Sequence, residues 1–190
     1  MNDEMPPIPE LVGSRLKLRV LAQTDRDALF ALYSDPMVMR HWSHLPWHDP
    51  AQALAHIERM RLEREHAEFY PWAASIGQDD QLIGTCSLFA ISHQHARGEL
   101  GFALLPQFWG HGLAREMATL AIEYAFGELG LDRIEVDIDP LNFASCRLVE
   151  RLGFQREGLL RERWRVGGIV QDSALYGLLA RDWQACSKRT

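Results

Sequence analysis

Alternation of apolar and polar residues along short stretches is the clearest pattern in this sequence. Residues 15–21 and 133–138 alternate at nearly every position, which indicates strands with one buried face and one exposed face. Two further strands are predicted on either side of the Gly-Gly turn at 167–168. Three strand-like segments lie in the middle of the chain, at 70–76, 82–91 and 99–105. A polar turn separates the first two of these, so we expect them to form a hairpin.

Helical spacing appears between these strands. Thr24-Asp25 can cap a helix, which predicts a helix over 24–33. Asp49 is a second capping residue, and Pro50 suits the first helical position, which predicts a helix over 49–68. A helix over 114–130 is predicted from apolar residues at helical spacing, which are Ala114, Met117, Ala118, Ala121 and Ala125. A short helix over 143–152 ends at Gly153, a residue typical of helix C-termini.

The resulting order is β α α β β β α β α β β, which favours an α/β fold with one mixed sheet covered on both faces. A chain of 190 residues is expected to form a single domain. We assign residues 1–12 to a flexible N-terminal lead-in and residues 13–190 to that domain.

Charge and composition argue against several classes of protein, namely nucleic-acid-binding, membrane-spanning and metal-binding proteins. The net charge of −6 argues against sequence-independent binding of nucleic acid, which needs basic residues against the phosphates. It would instead attract a cationic partner such as an amine. No apolar run is long enough for a membrane span and the start lacks a signal-peptide pattern, so a cytoplasmic location is expected. No metal site is expected, because neither the cysteines nor the clustered histidines have ligand spacing. These residues are Cys86, Cys146, Cys186, His41, His44 and His48.

The loop that joins the strand at 99–105 to the next helix is the most informative segment. Gly110 and Gly112 allow the backbone to bend and to approach a ligand closely. The start of the following helix offers unpaired N–H groups and the positive end of the helix dipole, which suits a pyrophosphate. The alternative is a tight turn whose glycines serve packing only.

Two common phosphate-binding motifs do not match this loop. Arg115 stands where the dinucleotide fingerprint needs its third glycine, and no Gly-Lys-Ser/Thr follows as in a P-loop. The remaining pattern, Gln107-x-x-Gly110-x-Gly112-x-Ala114, resembles the acetyl-CoA-binding motif of the GCN5-related N-acetyltransferase (GNAT) superfamily.

The resemblance extends over about residues 13–183. The segment 142–145, followed by Gly153 and Phe154, is similar to the family's Asn-x-x-Ser/Ala segment and its Gly-Phe pair. Other features resemble the ribosomal-protein alanine acetyltransferase branch: Leu16 to Arg19, Glu157-Gly158, 168–172, Tyr176 and Asp182-Trp183.

Membership would imply a mixed central sheet of about seven strands flanked by about four helices. It would also imply acetyl-CoA as co-substrate, no metal, and direct transfer of the acetyl group to an amine. The pantetheine arm would lie along the strand that ends at Leu104, and Asn142 would help to hold it. Asn142 could equally be a helix N-cap. The pyrophosphate would bind the loop residues Gln107, Gly110, His111, Gly112, Leu113 and Ala114.

Glu99 is the candidate general base. Strand alternation places it on the same face as Gly101 and Ala103, and these small residues would leave room for a substrate. The alternative is an ordinary solvated carboxylate on a strand.

The general acid is harder to assign. The family often uses a tyrosine four residues before the Gly-Phe pair, and Val149 stands there. Ser145 is the candidate substitute, although a serine is a weak acid and could be an ordinary helix residue.

The amine acceptor is not specified by the sequence. Trp42, Trp47 and Trp72 could line an acceptor pocket, and core packing explains them equally well. The branch resemblance favours a protein N-terminus over a polyamine, antibiotic or amino acid. Two other functions compete with catalysis, an acyl-CoA-binding sensor and a nucleotide-binding protein without CoA. A monomer or a homodimer is expected.

Overall fold

Eight strands form one sheet in this computed structural model, which describes residues 8–66 and 69–187. The strands are β1 (Leu11–Val12), β2 (Lys17–Val20), β3 (Tyr70–Ile76), β4 (Gln81–Ser92), β5 (Arg97–Leu104), β6 (Arg133–Ile138), β7 (Gln155–Val166) and β8 (Ile169–Leu179). Their spatial order is β1-β2-β3-β4-β5-β6-β8-β7. Every neighbouring pair is antiparallel except β5 and β6, which are parallel.

Six α-helices accompany the sheet within the described residues. They are α1 (Arg26–Ser34), α2 (Pro36–Met39), α3 (Ala51–His66), α4 (Leu113–Gly127), α5 (Phe143–Arg151) and α6 (Ala180–Ser187). Helix α4 is the crossover that a parallel pair requires, since it joins the end of β5 to the start of β6.

The sheet has a core on each face. Helices α4 and α5 cover the larger core, which includes the fully buried Met117, Ile122 and Val149. Helices α1, α2 and α3 cover the smaller one, which includes Leu29 and Leu32. We call the side covered by α1, α2 and α3 the front face. Alternation explains this division, because strand residues at successive positions point to opposite faces.

Most predicted elements are confirmed. Strand β6 alternates between buried and half-buried positions as its sequence indicates. The proline after Asp35 ends α1, and Asp35 caps α2 by accepting from the Met37 N–H. Asp49 accepts a hydrogen bond from the Ala51 N–H at the start of α3. Gly153 adopts a φ of +96° just after α5.

The structure differs from the predicted elements in the number of strands, in two additional short helices and at the N-terminus. The sheet has eight strands rather than about seven, and α2 and α6 were not predicted. Residues 8–12 of the expected flexible lead-in are in fact held against the domain: Leu11–Val12 pairs with β2, and Trp72 Nε1 donates to the Pro9 carbonyl. Residues 1–7 of the lead-in and the predicted end of α3 at 67–68 lie outside the described residues.

Candidate active site

A gap opens in the sheet between β5 and β6. The two strands pair only over Arg97–Glu99 and Arg133–Glu135, whereas β4 remains paired with β5 as far as Leu104. The Leu105 N–H donates to the Ile83 carbonyl of β4 at 2.8 Å. Because N–H directions alternate along a strand, the N–H groups of Phe102 and Leu104 point away from β4 and into the gap. This edge of β5 therefore offers backbone groups to which no strand is paired.

Trp109 occupies one of these backbone groups, the Leu104 carbonyl. Its indole Nε1 donates to the Leu104 carbonyl at 2.6 Å, which ties the loop after β5 back to the end of the strand. The Trp109 residue nevertheless remains 46% exposed. The backbone N–H and carbonyl of Phe102 and the N–H of Leu104 remain directed into the gap.

The loop itself presents backbone rather than side chains. Gly110 and Gly112 have φ of +79° and +76°, a left-handed conformation that favours glycine. Gly112 is the N-cap of α4 and supplies no side-chain cap, so the first N–H groups of the helix lack intrahelical acceptors. A Cβ at Gly110 would meet no atom within 4 Å. Glycine is thus required there by conformation, and the space in front of the loop is open.

The predicted binding residues of this loop differ in exposure. Gln107, His111 and both glycines are exposed, and Ala114 is half-buried. The Leu113 side chain is buried in the larger core, so only its backbone N–H could serve a ligand.

A set of side-chain contacts that no pattern in the sequence indicates, which we call the clasp, holds the loop from outside. The Arg15 guanidinium donates to Glu116 Oε2 at 2.7 Å and to the His111 carbonyl at 2.8 Å. Glu116 Oε1 also accepts from the Arg15 N–H and from the Ser14 hydroxyl. Burial raises the pKa of Glu116, but these hydrogen bonds outweigh it and the net pKa is lowered. The carboxylate is therefore held in its charged form.

Glu99 lies where β5 and β6 begin to separate. It is half-buried, opposite Phe89 on β4 and Glu135 on β6. Its pKa is raised, chiefly by burial and then by the charges of Glu135 and Asp137. Within the described part of the chain its carboxylate makes no hydrogen bond or ion pair, which leaves it free to accept a proton.

The room expected beside Glu99 is not open. The Phe89 ring lies 3.2 Å from where a Cβ of Gly101 would stand, with the Ser87 hydroxyl at 3.5 Å. Ala103 is 5% exposed and belongs to the smaller core. The small residues of β5 thus accommodate neighbouring protein groups on this face, and the prediction of free space there is wrong.

Asn142 is a helix N-cap. Its Oδ1 accepts a hydrogen bond from the Ser145 N–H at 3.1 Å. Ser145 is half-buried on the first turn of α5, and Val149 lies one turn further on, fully buried in the larger core. The cap role does not occupy the Asn142 side-chain amide N–H groups, and Val149 brings no proton donor.

The tryptophans divide between the two faces. Trp72 is fully buried in the larger core. Trp42 and Trp47 are half-buried on the front face, with ring centroids 5.4 and 4.7 Å from that of Tyr33. Tyr33 in turn shares a hydrogen bond with the Thr85 hydroxyl of β4. Only the front-face pair could therefore border an acceptor pocket.

No group of three potential metal ligands lies together among the described residues. None of the helices in the described ranges is both long enough and apolar enough to span a membrane.

Comparison with known proteins gives a consistent picture. The family model for the acetyltransferase (GNAT) domain matches residues 15–155. The uncharacterised N-acetyltransferase p20 of Bacillus licheniformis is 33% identical over 173 residues, covering 91% of this chain and 97% of p20. YdaF of Bacillus subtilis, provisionally a ribosomal N-acetyltransferase, is 31% identical over 121 residues, 64% of this chain and 66% of YdaF.

A solved structure shows the same fold. The spermidine N-acetyltransferase of Vibrio cholerae, crystallised with CoA and spermine, aligns with a TM-score of 0.79 and 26% identity. The alignment covers 90% of this chain and 99% of that one. From the matched family model and these relatives, we conclude that the chain belongs to the GNAT acetyltransferase family and is an acetyl-CoA-dependent N-acetyltransferase.

Proposed function

We propose that this enzyme binds acetyl-CoA in the gap between β5 and β6 and transfers the acetyl group to a primary amine that approaches from the front face. The observation that carries the proposal is the unpaired edge of β5, which ends at a loop with two left-handed glycines. Such an edge can pair with the amide groups of a pantetheine arm as it would with a strand.

The binding roles follow from this placement. Leu104 contributes its backbone to the arm, and Asn142 contributes its side-chain amide. The pyrophosphate lies against the N–H groups at the start of α4, where the helix dipole favours negative charge. The loop residues in this role are Gln107, Gly110, His111, Gly112, Leu113 and Ala114. Leu113 acts only through its backbone, because its side chain is buried.

Glu99 is the proposed general base. Burial and the neighbouring carboxylates raise its pKa, which makes it a better proton acceptor than an ordinary carboxylate. It removes a proton from the incoming ammonium, and the resulting amine attacks the thioester carbonyl carbon. Since Phe89 covers Gly101, the amine must approach Glu99 from the side of β6.

Ser145 is the proposed donor to the departing sulfur. It shares the first turn of α5 with its cap Asn142, which is placed at the arm. When the carbon–sulfur bond breaks, the electron pair stays on sulfur, and the Ser145 hydroxyl can donate a hydrogen bond to that thiolate. The fully buried Val149 cannot take this role.

Two classes of acceptor are supported. The C-terminal segment resembles the ribosomal-protein branch, which favours a protein N-terminal amine, and YdaF is provisionally named a ribosomal N-acetyltransferase. The Vibrio cholerae relative, named for spermidine, supports a polyamine instead. We place the protein N-terminus first. The cytoplasmic location and a monomeric or homodimeric state stay predictions.

A panel of amines tests the proposal. Release of CoA thiol would be followed with acetyl-CoA and a peptide with a free N-terminal alanine, spermidine, an aminoglycoside or a free amino acid. We expect amine-dependent release well above hydrolysis, with the peptide as the best acceptor. Tight acetyl-CoA binding without turnover toward any amine would instead indicate a CoA sensor.

A further inference from the structure

A histidine and an aspartate from distant parts of the chain meet on the front face. His41 Nδ1 lies 2.7 Å from Asp139 Oδ2, although the residues are 98 positions apart. The two side chains are 20% and 9% exposed. A carboxylate can only accept in this contact, so Nδ1 carries the hydrogen, and in the neutral form of the ring the lone pair is on Nε2.

Asp139 is fixed at the open end of the gap. It follows directly after β6, and it continues the alternation of Glu135 and Asp137 on the front face. Its Oδ1 accepts from the Leu141 N–H at 2.8 Å, and its carbonyl accepts from the Asn142 N–H at 2.8 Å. The same turn thus carries Asp139 and Asn142, the cap of α5. Ser145 lies on the first turn of that helix.

The outer nitrogen of His41 is unused. Nε2 makes no hydrogen bond to any residue in the described part of the chain, and it is not a buried unsatisfied group. The other two histidines of this loop differ, since His44 and His48 are exposed and neither contacts a carboxylate. His41 alone of the three has the arrangement of a carboxylate-oriented imidazole with a free basic nitrogen.

Amine acetylation releases two protons, and such a group can accept one of them. An ammonium must lose two protons to become a neutral amide, one before it attacks and one after the carbon–nitrogen bond has formed. Glu99 can hold only one of them, and the nitrogen of the tetrahedral adduct is positively charged until the second proton leaves.

We propose that His41, oriented by Asp139, accepts this second proton, an inference that rests on the proposed function. The proton passes from the adduct nitrogen to Nε2, directly or through one water. The carbonyl then re-forms, the carbon–sulfur bond breaks with its electron pair on sulfur, and the imidazolium is stabilised by Asp139. Bulk solvent takes this proton, and the one held by Glu99, before the next turnover.

Substitution of both partners tests this role, with acetyl-CoA and either spermidine or an N-terminal alanine peptide as substrates. His41→Ala should lower kcat by about 100-fold and leave the KM for acetyl-CoA unchanged. Added imidazole should restore part of the lost rate. Asp139→Asn should lower kcat as well, because it keeps the bond to Leu141 but favours the tautomer with hydrogen on Nε2. His48→Ala is the matched control and should retain full activity.

The outcomes separate this inference from the function it rests on. If the unsubstituted enzyme releases no thiol with either amine, the proposed function fails and the inference fails with it. If the enzyme is active but His41→Ala keeps its kcat, the inference alone is wrong. A loss that imidazole does not relieve and that appears as a raised KM for the amine would also overturn it, since it would assign His41 to loop structure.

Discussion

The Arg15 guanidinium donates to Glu116 Oε2 across 2.7 Å, and this contact joins the segment before β2 to the first turn of α4. The same guanidinium donates to the His111 carbonyl between the two glycines of the loop. One arginine therefore holds the backbone of the proposed pyrophosphate site, although it is 101 residues away from Glu116 in the sequence.

Removal of this clasp should weaken acetyl-CoA binding without affecting the chemistry. Arg15→Ala should raise the KM for acetyl-CoA by about tenfold, since the loop loses charge-assisted hydrogen bonds that fix its shape. The kcat should stay within about twofold of the original value. Arg26→Ala, which removes an exposed arginine paired with Asp27, serves as the control. Equal effects of the two substitutions on KM would contradict a specific role for Arg15.

A glutamate in place of Gly110 should show whether this position matters only for the backbone conformation or also for the binding of acetyl-CoA. Gly110 and Gly77 have φ of +79° and +74°, and a Cβ at either position would meet nothing within 4 Å. Gly110→Glu and Gly77→Glu should therefore lower stability similarly, by about 1–2 kcal/mol. Only Gly110→Glu should weaken acetyl-CoA binding, by at least about tenfold in calorimetry, because it adds negative charge beside the phosphates. Unchanged affinity in folded Gly110→Glu would remove the loop from the binding site.

The pH dependence of the rate, measured in the His41→Ala background so that the second proposed base does not contribute, should report on Glu99. Its raised pKa means that protonation, and loss of the base, begins at a higher pH than for an ordinary carboxyl group. The rate should thus fall as the pH drops through that pKa. Glu99→Gln should lower kcat by about 100-fold or more near neutral pH, and the loss should shrink at high pH, where the amine deprotonates unaided.

Glu135→Gln provides the matched comparison for Glu99. It removes a charge that raises the pKa of Glu99, so the acidic limb of the pH profile should move to lower pH while activity is retained. An acidic limb that stays in place in Glu99→Gln would assign the titration to another group.

His56 should make the fold sensitive to mild acid. Burial, with the charges of Arg59 and His44, lowers its pKa to about 4. Arg59 also donates to His56 Nδ1 at 3.0 Å, a bond that requires an unprotonated nitrogen. The unfolded chain binds this proton near pH 6.5 and the folded chain near 4, so stability is complete above pH 6.5 and declines as the pH falls.

The size of this effect can be measured by urea unfolding. The contribution of His56 should reduce the free energy of unfolding by about 2 kcal/mol at pH 5 relative to pH 7. His56→Gln should flatten this dependence, whereas His48→Gln, on an exposed residue, should not. Parallel curves for the original chain and His56→Gln would contradict a half-buried His56 that stays neutral in the folded chain.

Local patterns in the sequence predict local structure well in this chain. Alternation places β6, and Asn142 caps α5 where its residue type indicates. The loop glycines adopt the conformation for which glycine is suited. In each case the determining forces act within a few residues, so the pattern contains the information.

Contacts between distant segments were not predictable in the same way. Nothing in the sequence pairs Arg15 with Glu116 or His41 with Asp139, because their partners depend on how the sheet assembles. The Phe89 ring over Gly101 is a similar case. Alternation assigns Gly101 to a face, but only the register between β4 and β5 decides which neighbour fills the space above it.

Amide hydrogen exchange tests the proposed binding mode most directly. Exchange at Phe102, Leu104 and residues 110–114 would be followed by NMR in the free enzyme and with saturating acetyl-CoA. Binding in the gap should slow exchange at these backbone N–H groups, while the turn at Gly167 and Gly168 between β7 and β8, which does not border the gap, keeps its rate. Saturation with acetyl-CoA that leaves the amides of Phe102, Leu104 and the loop unprotected would contradict binding between β5 and β6.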